Sequence, residues 1–193
     1  MKINTIELES FKRFRKRIVL SDFSDGLNLF TAVNEGGKST IAEAIRAAFL
    51  ERHRTSTLVD LVPWGESGAS PNVHVEFTVA GQRCSVRKAF LSRKSCDVAI
   101  GDQTLSGEEA ENKLGELLGF GHAAKGKSTE EKQGIPGLLW IRQGRSYNIT
   151  DEVRHASDYL RRALSQSVGE LAATQGDTVL NKVAEERGKL LTK

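Results

Sequence analysis

Polar and apolar positions alternate from Lys2 to Ser10, with Ile3, Thr5 or Ile6, and Leu8 set against polar neighbours, so the chain opens on a strand. A hairpin partner is expected at about Arg17 to Asp22. Asp25-Gly26 then makes a turn, and Leu27-Asn28-Leu29-Phe30 alternates again as a strand into the core. From Lys38 to Leu50 the period lengthens, and Ile41, Ile45, Ala48 and Phe49 share one face of a helix. Three strands in meander order are predicted next, at Asn72–Val79, Gln82–Phe90 and Ser95–Ile100, parted by Ala80-Gly81 and by Ser92 to Lys94. A second helix opens around Leu105–Ala110, with Ser106 as its N-cap and Glu109 completing a capping box, and stops at Gly119.

The stretches between and after these elements are read more coarsely. Residues 51–70 form a polar connector with turn signals at Pro63, Gly65 and Gly68, in which Trp64 is expected to pack in the core or on the surface, the alternative being that it lines the base edge of a bound nucleotide. Residues 120–134 carry Lys125, Lys127 and Lys132 and are expected to form a mobile loop. Leu138 to Ile141 is a short, continuously apolar run of the kind found in buried strands, with Gln143-Gly144 at its end. Beyond Thr150, Val153, Ser157, Leu160, Leu164, Val168 and Leu171 fall at near-heptad spacing, and after an interruption at residues 175–177 the pattern resumes to Lys193. The expected organisation is a domain over residues 1–150 and a helical extension over 151–193, either a surface helix or the start of a coiled coil.

The chemistry concentrates between the third predicted strand and the first helix. Thr31 to Thr40 reads Thr-Ala-Val-Asn-Glu-Gly-Gly-Lys-Ser-Thr, a phosphate-binding loop in its required strand-to-helix context. Gly36 and Gly37 let backbone N–H groups approach a polyphosphate at the positive end of a helix. Asn34 and Glu35 lead into the loop, Lys38 is placed to meet the β- and γ-phosphates, Ser39 to ligate magnesium, and Thr40 to offer a hydroxyl near the α-phosphate. Ala32 stands where the pattern has its first glycine, which costs nothing if its φ is negative. Gly126-Lys127-Ser128 lacks a preceding apolar strand and is read as a chance likeness to the motif.

Composition adds little beyond exclusions. An apolar fraction of 38% and a charged fraction of 27% suit a soluble globular protein, and a net charge of +3 permits contact with nucleic acid without requiring it. There is no run long enough to cross a bilayer, so a cytoplasmic location without membrane contact is expected, nucleoid-associated if bacterial. Cys84 and Cys96 are too few and too far apart for a zinc site. Residues 11–17, Phe-Lys-Arg-Phe-Arg-Lys-Arg, form either a solvated hairpin tip or a functional patch, with Lys12 and Arg13 beside a nucleotide and Arg15, Lys16 and Arg17 meeting the phosphates of a bound strand.

A hydrolase of nucleotides also needs an acidic residue at the end of a strongly apolar strand, to hold magnesium, and a base to orient water. Neither Thr57-Leu-Val-Asp60 nor Val98 to Asp102 qualifies, and residues 145–193 read as helical and polar, so no catalytic residue is assigned in this chain. The order of basic hairpin, Asn34 to Thr40, strand meander and Trp140-Ile-Arg-Gln-Gly144 leading into a long helix resembles the N-terminal half of an SMC- or SbcC-type ATPase head, of the ABC class. The resemblance covers nearly the whole chain. It implies an α/β P-loop NTPase fold, the N-lobe of an ABC-type head, with a mixed sheet and an antiparallel meander around the P-loop helix.

The resemblance further implies ATP and Mg2+ as ligands, Gln143 as the magnesium-sensing glutamine, and Lys12 and Arg13 near the nucleotide. A C-terminal half of the same head would supply the signature motif, the metal-binding aspartate and the catalytic glutamate. The implied partners are that half, a second head, and DNA, with a nuclease subunit as a further partner that the resemblance allows. Two rival readings stay open. A self-contained P-loop kinase or NTPase needs an internal apolar strand ending in Asp, and its GTPase form a guanine-reading motif that Asn181-Lys-Val-Ala184 fails to complete. An ATP-sensing assembly platform would recruit a nuclease without touching DNA.

Overall fold

The computed structural model describes residues 1–122, 126–129 and 132–134, together with the isolated positions 136, 140, 157, 161 and 165. The Leu138–Ile141 strand, Gln143, Lys125 and the helical extension lie outside the described residues, apart from those isolated positions. Among the described residues six strands pair in the order β2-β1-β3-β4-β5-β6, where β1 is Lys2–Glu9, β2 Ile18–Leu20, β3 Asn72–Val79, β4 Gln82–Ala89, β5 Ser95–Ile100 and β6 Gln103–Ser106. All five pairings are antiparallel. Ala80 and Gly81, at φ 49° and 79°, supply the two left-handed residues that a tight β3–β4 hairpin needs.

Period-two alternation sorts the sheet into two faces. Ile6, Leu8, Val73, Val75, Phe77, Val86, Cys96 and Val98 turn inward and are buried. Helix α1 (Lys38–Leu50) covers β1, β3 and β4, and helix α2 (Gly107–Leu118) covers β5 and β6. The buried face of α1 is Ala44, Ala47, Ala48, Phe49 and Leu50, while Ile41 and Ile45 are only partly covered. Small residues in the middle of the face let the helix lie close to the sheet, and Phe49 packs edge-on against Phe77.

The outer face is polar, as an antiparallel sheet with one solvated side should be. Glu7, His74, Arg87, Asp97 and Ser106 align across five strands. Arg17 bonds Glu7 at 2.9 Å, Arg87 donates to His74 at 3.0 Å, and Ser106 Oγ donates to Asp97 at 2.7 Å. That last bond explains one departure from expectation. Ser106 is the N-cap residue of α2, but its hydroxyl serves Asp97, so the capping box with Glu109 does not form. Strand β6, which short polar Gln-Thr-Leu-Ser did not announce, ends where that helix begins.

Two further expectations are corrected, and a third, that of Trp64 in the core or on the surface, is narrowed to the surface. Residues 27–30 are not a strand: Leu27 and Leu29 are 90% and 80% exposed, and no described strand pairs with them. Asn28 instead folds back on its own turn, accepting from the Ser24 N–H at 2.9 Å and donating to the carbonyls of Ser24 and Gly26. Trp64 is 91% exposed and anchors no core. The described parts of the 120–134 stretch are tied down, because Ser128 N–H donates to Glu51 Oε2 at 2.8 Å, Lys127 pairs with Asp60 at 2.7 Å, and Gln133 is buried.

Beneath that stretch lies a buried polar cluster. Lys88 is fully buried, donates to the Glu51 carbonyl at 2.7 Å and sits 3.7 Å from Glu111. Glu111 accepts from the backbone N–H of His53 at 2.6 Å and lies 2.9 Å from its Nδ1. Burial pulls the Lys88 ammonium below its usual range, whereas burial pushing Glu111 upward is outweighed by Lys88 and the His53 bonds, leaving its carboxyl low. The Cys96 thiol, buried in the same region, is pushed up to about 12 by desolvation and is a packing residue, not a nucleophile.

Candidate phosphate-binding site

The loop before α1 has the geometry of an anion cradle. Gly37 is the helix N-cap at φ 96°, a left-handed conformation that an L side chain rarely adopts. No side chain caps this end and no acid lies in the first turn. The first helical bond is from Ile41 N–H to the Gly37 carbonyl at 3.0 Å, so the N–H groups of Lys38, Ser39 and Thr40 have no partner within the helix. Orphan donors at the positive end of a 13-residue helix favour an anion.

A cavity of about 330 Å³ opens there, lined by Lys12, Arg13, Glu35, Gly36, Gly37, Lys38, Ser39 and Thr40. Two cations from the basic turn therefore meet the loop, although they lie far from it in sequence. The Lys38 ammonium donates to the carbonyls of Ala32 at 2.7 Å and Val33 at 3.0 Å. Those neutral acceptors are weaker partners than a phosphate oxygen, so Lys38 can exchange one for the other. Lys12 forms an ion pair with Glu43 of α1, and its N–H bonds the Leu61 carbonyl at 2.7 Å.

The two glycines are needed for different reasons. A Cβ on Gly36 would lie 2.6 Å from the Ala32 Cβ and 2.8 Å from the Val33 carbonyl, and one on Gly37 would lie 2.5 Å from Phe14 Cζ. Ala32 itself is not among the residues with positive φ, so it stands in the first-glycine position without backbone strain. The left-handed turn falls instead on Glu35, at φ 62°. Sequence reasoning missed this position, since it looked for strain at residue 32.

Asn34 precedes this turn and is exposed. Of the proposed DNA contacts, Arg15 bonds Glu66 and the Trp64 carbonyl, both at 2.9 Å, and Arg17 bonds Glu7. Lys16 is exposed and has no acid partner among the described residues, and the same holds for Arg13. Gly126-Lys127-Ser128 is no second cradle, because its Lys127 and Ser128 N–H are held by Asp60 and Glu51. Among the described residues no His, Cys, Asp and Glu cluster could hold a metal ion, and no helix is long and apolar enough to cross a membrane.

Comparison with known proteins agrees with this geometry. Residues 5–135 match the AAA domain family. The DNA replication and repair protein RecF of Lactococcus lactis is 39% identical over 67 residues, which cover 34% of this chain and 18% of RecF. The mitotic chromosome and X-chromosome-associated protein mix-1 of Caenorhabditis elegans is 33% identical over 89 residues, covering 44% of this chain and 7% of that protein. The chain thus spans less than a fifth of the length of these curated relatives. Among solved structures, an SMC ATPase described in terms of ATP-driven dimerization and DNA-stimulated activation aligns at TM-score 0.44 with 17% identity, over 79% of this chain and 99% of that one. The SMC head domain from Thermotoga maritima aligns at TM-score 0.37 with 21% identity, over 58% and 42%. With the family match running through β1, the loop, α1 and the whole meander, the chain belongs to the AAA domain family.

Proposed function

We propose that this chain is the ATP-binding half of an SMC/SbcC-like ATPase that acts on DNA through ATP-driven dimerisation of its heads. The observation that supports this most is the uncapped start of α1 beside Gly37, facing a cavity shared by Lys38, Ser39, Lys12 and Arg13. Orphan N–H groups, an ammonium held only by two neutral carbonyls and a hydroxyl suit a magnesium-bound polyphosphate. In this reading Gly36, Gly37, Lys38 and Thr40 bind phosphate oxygens, and Ser39 and Gln143 hold the metal. The Mg2+ ion supplies charge neutralisation between phosphates. Lys12 and Arg13 flank the nucleotide, and Arg15, Lys16 and Arg17 offer positive charge to DNA once Glu66 and Glu7 release the two arginines.

The proposed partners are the C-terminal half of the head and a second head, which bring the catalytic residues, and DNA. Residues 1–150 form the ATP-binding lobe and 151–193 the start of a helical extension, in the cytoplasm. Repair, chromosome maintenance and DNA-directed defence all fit this chemistry, as does a nuclease subunit as partner. Titration calorimetry with Mg·ATP tests the core of the reading. Lys38→Ala should abolish binding, and the unaltered chain should bind with negligible turnover. ATP affinity that survives in Lys38→Ala removes the basis of the proposal. Reversal of Arg15, Lys16 and Arg17 to Glu should remove salt-sensitive DNA binding.

A further inference from the structure

We propose that Phe14 is a positioning residue for the phosphate loop: its ring sets the left-handed Gly37 turn, and through it the aim of the loop amides. The inference rests on the nucleotide-binding reading above and deepens it. Phe14 does not line the phosphate cavity. It stands behind the cavity, with the tip of its ring against Gly37. Three ring atoms, Cζ, Cε2 and Cε1, lie 2.5, 3.0 and 3.3 Å from where a Cβ on that residue would be. The ring therefore fills the space that the missing side chain leaves.

Phe14 can do this because its own position is fixed from several sides. Phe11 and Phe14 exchange two backbone hydrogen bonds, Phe11 N–H to the Phe14 carbonyl at 2.8 Å and Phe14 N–H to the Phe11 carbonyl at 2.9 Å. Phe11 is fully buried and anchors the turn in the core. Between them, Lys12 takes φ 48°, bonds the Leu61 carbonyl and pairs with Glu43 on the helix that Gly37 caps. On the far side Arg15 is held by Glu66 and the Trp64 carbonyl. The turn is thus a brace between core, α1 and connector, and Phe14 is the part of it that touches the loop.

A glycine-rich loop gains nothing from its own side chains in holding shape, so each amide must be kept in place by something packed against the backbone. Remove the ring, and Gly37 regains the wide conformational range natural to glycine. The loop must then be ordered by the nucleotide, at a cost in affinity.

The test is hydrogen exchange of the nucleotide-free 193-residue chain, combined with calorimetric Mg·ATP binding, for the parent, Phe14→Ala, Phe14→Leu and Lys38→Ala. In Phe14→Ala the hydrogen-bonded N–H groups that flank the turn, Gly36 on the Val33 carbonyl and Ile41 on the Gly37 carbonyl, should exchange at least about tenfold faster while those of β3 and β4 keep their rates, and Kd for Mg·ATP should rise about tenfold. Phe14→Leu, which refills much of the space, should recover most of both. Unchanged Kd in Phe14→Ala overturns the proposal while the loss in Lys38→Ala keeps the nucleotide reading intact. Faster exchange spread evenly over loop and sheet also overturns it, since Phe14 would then be a core residue like any other. A parent chain that does not bind Mg·ATP sinks the reading and the proposal together.

Discussion

Two stretches of this chain alternate apolar with polar residues and end up in opposite states. Along β3 and β4, Val73, Val75, Phe77 and Val86 are fully buried, and even Lys88 is enclosed. Along residues 27–33, Leu27, Leu29 and Val33 are 90%, 80% and 80% exposed. The difference is partnership. Residues 72–89 find their neighbour across a two-residue turn, so pairing is local and costs little loop entropy. Residues 27–33 have no strand beside them among the described residues, and alternation without a pairing edge makes no strand.

The sharpest way to break this comparison is to damage the closed side. Glu111 is 1% exposed and receives His53 N–H while facing Lys88. Glu111→Ala should therefore destabilise the chain by about 3–5 kcal/mol in urea denaturation, because an ammonium and a backbone donor are left buried without it. Replacing both members, Lys88→Met with Glu111→Leu, should cost clearly less than the single change. If the single and double variants lose the same amount, the cluster is held by packing and not by charge.

Acid should attack the same side in two stages. Burial holds His122 below its ordinary 6.5, with Lys88 adding to the effect, and its Nε2–H donates to the Glu111 carbonyl at 3.2 Å. Burial and Arg87 hold His74 low as well. The folded chain thus binds these protons less tightly than the unfolded chain, so stability is full above about pH 6.5 and falls as pH drops below it. Glu111, held below 4.5, adds stability that is present above that value and lost as pH falls through its folded pKa. Melting temperature followed from pH 8 to about 2 should show both stages, smaller together than the loss in Glu111→Ala. His122→Gln should flatten the upper one, and an unchanged upper stage would assign it to His74.

What could be read from residues alone follows the same division. The bounds of β3 and β5, the Gly119 stop of α2 at φ 72° and the N-terminal start of α1 were legible, because alternation, a left-handed glycine and a Gly-Gly-Lys-Ser turn each act locally. The meeting of Lys12 and Arg13 with the loop was one of two open readings of the basic run, because charge alone does not tell a solvated hairpin tip from a phosphate-facing one. Strand β6 escaped notice since its four residues alternate weakly, and the anchoring of residues 126–128 escaped because it depends on Glu51 and Asp60, some seventy positions away. Strain was sought at Ala32 and sits at Glu35, because loop φ values depend on how the chain enters the helix.

The smallest effect belongs to the open side, and its smallness is informative. Leu27→Ser combined with Leu29→Ser removes two large apolar side chains, which in β3 would cost several kcal/mol. Here both are already in water, so unfolding free energy should change by less than about 0.5 kcal/mol and the melting temperature should barely move. Nucleotide affinity should also hold, since neither residue lines the phosphate cavity. A loss above about 1 kcal/mol would mean that something in this chain outside the described residues covers them, and that the open side is closed after all. Near-neutrality would leave Leu27 and Leu29 as apolar surface with no structural use in the chain itself, which is where the proposed C-terminal half would have a strand to pair and a face to bury.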